Sequence, residues 1–335
     1  MIIHLPWLIF LGDARDQIAA KTGFAIAHWQ RERCVGQMRF ENCRADCGLA
    51  DVGLEQAAAA GTKTMVLGVA IGGGEIPKSW EPVIIRAMEL GMDIANGLHT
   101  RLASSPAIAE AAARYGRRLF DVRHPTQTFA LATGKPRSGK RVLTVGTDAS
   151  VGKMLAALHI ARGLQACGRD ARFRATGQTG ILVSGEGVAI DAVPGDFIAG
   201  AIEWLSPAIP EGSWDVIEGQ GSLFHPAYAG VTLGLLHGAR PDFLVMCHDP
   251  ARAHMRGLPN YPVPDLKACF DVHLNGARLT NPEVKPAGIC LNTSSLSRAE
   301  ANIMRDKFER EFDLPTCDPL ITGVGPIVDR MLRGL

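Results

Sequence analysis

Residues Gly146–Met154, GTDASVGKM, carry the sharpest chemical signal in this chain of 335 residues. A Gly-Lys pair stands at the Walker spacing, between the apolar run RVLTVG (141–146) and an amphipathic stretch (151–166). Backbone N–H groups of such a loop, with the N-terminus of the helix behind it, form a nest for phosphate oxygens. The expected binding residues are Gly146, Thr147, Asp148, Ala149, Ser150, Val151, Gly152, Lys153 and Met154, with Lys153 as a point charge on the phosphates. Two positions depart from GxxxxGK[ST]. Thr147 stands at the first glycine, and Met154 replaces the hydroxyl that would hold Mg²⁺. A thioether is a poor ligand for a hard cation. The expectation is a phosphate cradle without the metal apparatus of phosphoryl transfer, and no metal site.

A second motif, WDVIEGQGSLFHP (214–226), reads as a buried strand that delivers Glu218 to the end of a sheet. Gly219 and Gly221 let backbone approach a ligand, and Gln220 and His225 share the loop. Glu218 is either functional or a strand-end cap; His225 is either a proton carrier or a hydrogen-bond bridge. ATGQTG (175–180), with Gln178, and AIDAVPGDF (189–197), with Asp191 and Asp196, are further candidate walls, Asp196 alternatively capping the next helix. CHDPARAHMRGLPNYP (247–262) is a long, proline-rich loop of the kind that forms lids, and its histidine spacing matches no metal pattern.

In the first half the chemistry sits at predicted strand ends: Gly72–Glu75, then Asn96, His99 and Arg101, then Arg123 and His124. Gly72-x-Gly74 is a weak dinucleotide fingerprint because Pro77 stands where the third glycine belongs. Arginine forks suit carboxylates, so Arg101 and Arg123 are the candidates for an acidic substrate.

The elements that must position these residues alternate. Strands are expected at 8–11, 64–70, 92–96 and 117–122, with helices at 80–90 and 106–115 between them. After the polar stretch TGKPRSGKR the alternation resumes, with strands at 141–146, 171–176, 214–219, 242–248 and 284–292 and helices at 151–166, 197–205, 296–312 and 324–332. The reading is α/β in two domains with parallel sheets. Residues 1–133 form a Rossmann-like domain, 134–140 a linker, and 141–335 a P-loop NTPase-like, three-layer α/β/α domain. In such sheets ligands bind beyond the carboxyl ends of the strands.

Composition removes other classes. Lys and Arg total 35 against 34 Asp and Glu, a net charge of +1, which disfavours a polybasic nucleic-acid binder. Aromatics at 6% disfavour a stacking platform for single strands. Eight scattered cysteines without a C-x-x-C pair read as reduced thiols in a cytoplasmic protein. MIIHLPWLIFLGDARD lacks a basic n-region and reads as a buried first strand, and no run is long enough to span a membrane.

VGTDASVGKM, FRATGQTGI, GVAIDAVPGDFIAGA, WDVIEGQGSLFHPAYAGVTLGLLHG, AHMRGLPNYP, ANGLHTRL and FDVRHPTQ together resemble one bacterial family, the DgcN-type D-glutamate N-acetyltransferase family. Its P-loop domain looks like that of dethiobiotin synthetase, and Met154 is at home in it. The resemblance implies transfer of acetyl from acetyl-CoA to the amine of D-glutamate, ahead of a separate dehydrogenase. The 3′-phospho-ADP unit of CoA would sit on the P-loop. Glu218 or His225 would take the amine proton, with Lys153 in the catalytic group. P-loop or GQGS amides would hold the oxyanion. Arg101, Arg123, Gln178 and Gln220 would bind the substrate. Expected partners are acetyl-CoA, a small amino acid and a second copy of the chain, without nucleic acid or membrane. Two other classes stay open. One is an ATP-dependent kinase or ligase with Asp148 and Glu218 on Mg²⁺; the other is a non-catalytic nucleotide binder.

Overall fold

The computed structural model describes residues 3–17, 19–69 and 76–334, and contacts divide these into two compact units. The Gly72–Glu75 expectation lies outside the described residues. The first unit holds residues up to Thr126 together with 177–192. The second holds Gln127–Thr176 and 193 onwards.

In the first unit five parallel strands are β1 (Trp7–Gly12), β2 (Cys34–Arg39), β3 (Thr64–Leu67), β4 (Asp93–Asn96) and β5 (Leu119–Asp121), in the order β2-β1-β3-β4-β5. The helices are α1 (Lys21–Trp29), α2 (Leu54–Ala59), α3 (Glu81–Glu89), α4 (Pro106–Tyr115) and α6 (Gln178–Ser184). β1, β3 and β4 are buried throughout, as parallel strands covered on both faces must be. α4 is well delimited by its sequence. Ser105 accepts the Ile108 N–H, Pro106 opens the first turn and Gly116 closes the helix at φ 62°.

The second unit has a six-stranded parallel sheet of β6 (Lys140–Gly146), β7 (Ala171–Arg174), β8 (Trp214–Ile217), β9 (Phe243–His248), β10 (Lys285–Leu291) and β11 (Thr316–Cys317). The order is β11-β10-β9-β6-β8-β7. α5 (Lys153–Ala166) and α11 (Gly325–Leu332) cover one face, where Val142, Ile160, Val245, Ala287 and Ile327 share a fully buried core. α7 (Ile198–Leu205), α8 (Ala229–Ala239) and α9 (Leu266–Arg278) lie on the other, and α10 (Arg298–Phe312) packs on β11. This is the expected three-layer arrangement. All eight cysteines are free thiols, and no helix among the described residues is long and apolar enough to cross a membrane.

Two expectations about organisation change. Residues 134–140 are no free linker. The Thr133 and Gly134 amides donate to the Glu203 carboxylate at 2.8 Å. The Arg137 guanidinium donates to the carbonyls of Glu203, Ser206, Gly238 and Ala239, tying down the ends of α7 and α8. A half-buried cation can be accommodated there because carbonyls at a helix end lack an intrahelical partner. The second change is α6, read from sequence as the end of a strand. Its apolar residues Ile181, Leu182 and Val183 are buried. Gln30 donates to the Val183 carbonyl at 2.9 Å, and Thr22 bonds Thr179 at 3.2 Å, so 177–192 belongs to the first unit.

Candidate functional site

β6 ends at Gly146, and the chain reverses through 147–152 into α5. Gly152 adopts φ 102° and Ser150 φ 55°, the left-handed turns that curl the loop. No side chain caps α5. Its first N–H groups therefore face outward without an internal acceptor, as an anion nest requires. Lys153 is the first residue of the helix, buried, and its Nζ donates to the Asp148 carbonyl at 2.6 Å. Burial pushes this ammonium down from 10.5 to about 8, against the opposing pull of Asp148 and Glu218 among others. Met154 follows at the second position of the helix, half-buried.

The strand beside the loop is β8, and Glu218 lies just past it, buried. Its Oε2 accepts the Thr176 N–H at 2.9 Å, and its carbonyl accepts the Thr176 hydroxyl at 2.7 Å. Gly219 is required by space. A Cβ there would stand 1.7 Å from the Thr144 carbonyl and 3.1 Å from the Lys153 chain. Gln220 donates to Thr176 Oγ1 at 3.1 Å. Glu218 and Gln220 thus meet at Thr176, and the Glu218 charge acts on Lys153.

Asp148 is the hub of the other side. Fully buried, it accepts Arg252 Nη1 at 2.8 Å and the Arg256 N–H at 2.7 Å on Oδ2, and the Ala149 N–H at 2.6 Å on Oδ1. Arg252 also donates to the carbonyls of Ala149 and Ser150, and Arg256 to Ser150 Oγ at 2.7 Å. Segment 249–265 is thereby tied to the loop through the Asp148 carboxylate and the carbonyls of Ala149 and Ser150. An arginine on Asp148 places positive charge where a divalent cation would have to bind, so the Mg²⁺ role considered for Asp148 does not fit.

His225 is 3% exposed and lies flat on Tyr228, with centroids 4.2 Å apart and planes at 19°. Its Nδ1 accepts the Ala227 N–H at 3.2 Å, so in the neutral ring the proton is on Nε2. Neither nitrogen then offers a lone pair to a substrate, which removes the expected general-base role. His248, at the end of β9, meets Thr147 Oγ1 at 3.0 Å, and burial pushes it to about 4, so it is neutral at pH 7.

The first unit holds the expected carboxylate binders. Asn96 shapes the loop after β4, donating to the Thr100 carbonyl and to Asp121 and accepting the Leu98 N–H. That loop presents Arg101, exposed, with no partner for its guanidinium among the described residues. Arg123 is different. It is buried and ion-paired with Asp191, and its Nε donates to the Gly97 carbonyl. Gln178 packs against Gly97 in the same place. Arg101 is open to a carboxylate, whereas Arg123 already has one. Asp196 sits in a single 3-10 turn, and α7 begins without a side-chain cap, so its alternative role as a cap fails.

Arg252, Arg256 and His248 stand in the loop flagged from sequence and Thr176 in the ATGQTG wall, but sequence alone assigned none of them its part here: the arginines as loop clamps, His248 on Thr147 and Thr176 on Glu218. The partner of Thr176, Glu218, is 42 positions away, so no local pattern pairs them.

Family models for two domains of unknown function match. DUF1611_C, a P-loop domain, covers residues 130–328, and DUF1611_N, a Rossmann-like domain, covers 32–125. A D-glutamate N-acetyltransferase of Tritonibacter scottomollicae is 48% identical over 330 residues, 98% of this chain and 99% of its own. One from Pseudoalteromonas sp is 46% identical over 328 residues, again 98% of this chain and 99% of its own. The crystal structure of a DUF1611 family protein from Anabaena variabilis superposes with a TM-score of 0.86 at 29% identity, over 98% of this chain and 99% of that one.

Proposed function

The chain belongs to the DUF1611 family, and on that premise we propose that it is an N-acetyltransferase that moves acetyl from acetyl-CoA to the amine of D-glutamate. The observation that carries the reading is an intact phosphate nest, Lys153 included, followed directly by Met154. That combination holds a phosphate-bearing cosubstrate whose phosphates are not transferred. In support, the curated relatives that match over nearly the full chain are named D-glutamate N-acetyltransferase. In the reaction the ammonium first gives up one proton to solvent, the amine nitrogen bonds to the acetyl carbon, the C–S bond breaks, and a second proton from nitrogen passes to the departing sulfur, so that CoA leaves as the thiol.

CoA carries its phosphates and its thioester at opposite ends of the pantetheine arm. With phosphate on the nest, Glu218 faces the phosphate end because it stands in the field of Lys153. Its part is then to set the charge and position of that lysine and of Thr176, not to take the amine proton. Arg101 is the substrate-carboxylate ligand.

The test is release of free thiol from acetyl-CoA across D- and L-amino acids. Release dependent on D-glutamate is expected, at an undiminished rate in EDTA. ADP or phosphate release that requires Mg²⁺ would overturn the proposal in favour of a P-loop kinase or ligase.

A further inference from the structure

We infer that His225 is a ligand of the cosubstrate's phosphate end, its Nε2–H donating to a non-bridging phosphate oxygen at the P-loop. This rests on the reading of the nest as the seat of those phosphates.

The ring is fixed on three sides. Tyr228 stacks on its face, the Ala227 N–H holds Nδ1, and the turn 222–225 is closed by the His225 N–H on the Ser222 carbonyl. With the tautomer set by Nδ1, the N–H at Nε2 is buried and has no hydrogen-bond partner. Asp148 Oδ1, at 4.0 Å, is beyond bonding reach and is already taken by Ala149. Buried donors are almost always satisfied, so a rigid orphan beside a binding loop points to an atom supplied by the ligand. That atom must be an acceptor. It must also suit an environment that offers donors, since Lys153 Nζ bonds the carbonyl of the same Asp148 and the start of α5 is uncapped. Phosphate oxygen meets both conditions. The imidazole N–H adds a directed bond to the anion in a site that already holds Lys153, Arg252 and Arg256.

The discriminating variants are His225→Phe, which keeps the stacked ring and loses the donor, and His225→Gln, which keeps an amide donor. The whole protein is titrated calorimetrically with CoA, with ADP, and with pantetheine, which has no phosphate. His225→Phe is expected to weaken CoA and ADP by about 10- to 100-fold, the range for a hydrogen bond to a charged group. His225→Gln should fall between, and pantetheine should bind all three proteins alike. Unchanged CoA and ADP affinity in a folded His225→Phe overturns the inference. So does a parallel loss for pantetheine, which would move His225 to the acyl end. Should His225→Phe fail to fold, imidazole ¹⁵N spectra of the wild type decide. A protonated Nε2 whose N–H resonance shifts with ADP supports the assignment; a proton on Nδ1, or no shift, overturns it. Weakened ADP in a protein whose wild type binds no CoA would retire acetyl-CoA yet keep His225 as a phosphate donor. A wild type that binds neither would overturn both.

Discussion

Lys153 should make cosubstrate binding consume a proton. Burial holds its ammonium near 8 in the free protein, well below the ordinary 10.5. The difference amounts to about 3 kcal/mol between the charged and neutral forms. A bound phosphate supplies the missing counter-charge and should return the lysine toward its ordinary value. At pH 7 the free lysine is already mostly charged, and binding should take up about 0.1 proton. At pH 9 it is mostly neutral, and uptake should rise to about 0.9 proton, while affinity falls about fivefold from pH 8 to 9. The thiol of Cys269, which also acts on Lys153, is pushed up to about 12 and stays silent in this range. Calorimetry of CoA at pH 7, 8 and 9, in two buffers of different ionisation enthalpy, reads both quantities. Lys153→Met should bind weakly and show neither effect. Equal affinity at pH 7 and 9 without proton uptake would refute the claim that a buried, phosphate-directed lysine sits in this loop. For folding stability the sign is the opposite of that for binding. A cation with a depressed folded value opposes folding below it, so the contribution of Lys153 to stability improves as pH rises from about 8 to 10.5.

Arg101→Ala should raise KM for the amino-acid acceptor at least tenfold with an unchanged melting temperature, because the side chain is exposed; an unchanged KM would remove it from the site. Arg123→Ala strands Asp191 and empties a buried position, so it should lower the melting temperature as well, which thermal denaturation reads directly. Arg137→Ala removes the donor to four helix-end carbonyls and should cost about 2–4 kcal/mol in urea unfolding while leaving CoA affinity intact. Glu218→Gln should lower kcat/KM with acetyl-CoA but not with acetyl-pantetheine; an equal loss with both would restore Glu218 as the base.

The parts legible in the sequence were those with strong periodicity or a fixed motif. β6, α5 and β8 appear within two residues of their expected limits, since buried parallel strands read as apolar runs. β2 escaped because its CVGQMR is half polar. Its Gln37 is buried only by virtue of bonds to Asp46, Asp51 and the Cys47 N–H, partners that no local pattern reveals. α8 escaped because AGVTLGLLHGA contains three glycines, and two of them, Gly234 and Gly238, are needed where Ile198, Ala199 and Ile202 of α7 press close. At the site, the residue types of the nest, Glu218 and His225 were legible. The His225 tautomer was not, because one backbone N–H decides it. Nor was the state of Arg123, whose partner Asp191 is 68 positions away.

The return of 177–192 to the first unit has a consequence for synthesis. The first five strands are complete once Asp121 has been made, yet the helix that packs on α1 has not. At about 5–20 residues per second the ribosome needs several more seconds to deliver it, and during that time α1 carries an uncovered apolar flank. By then β6 and β7 have also been made, so the two sheets must mature side by side rather than in turn. A gene cut at 126 would yield a first sheet permanently short of one helix. Exchanging halves between relatives at that point would pair α1 with a foreign α6, so the pair forms one heritable unit despite the 148 residues (30–177) between Trp29 and Gln178.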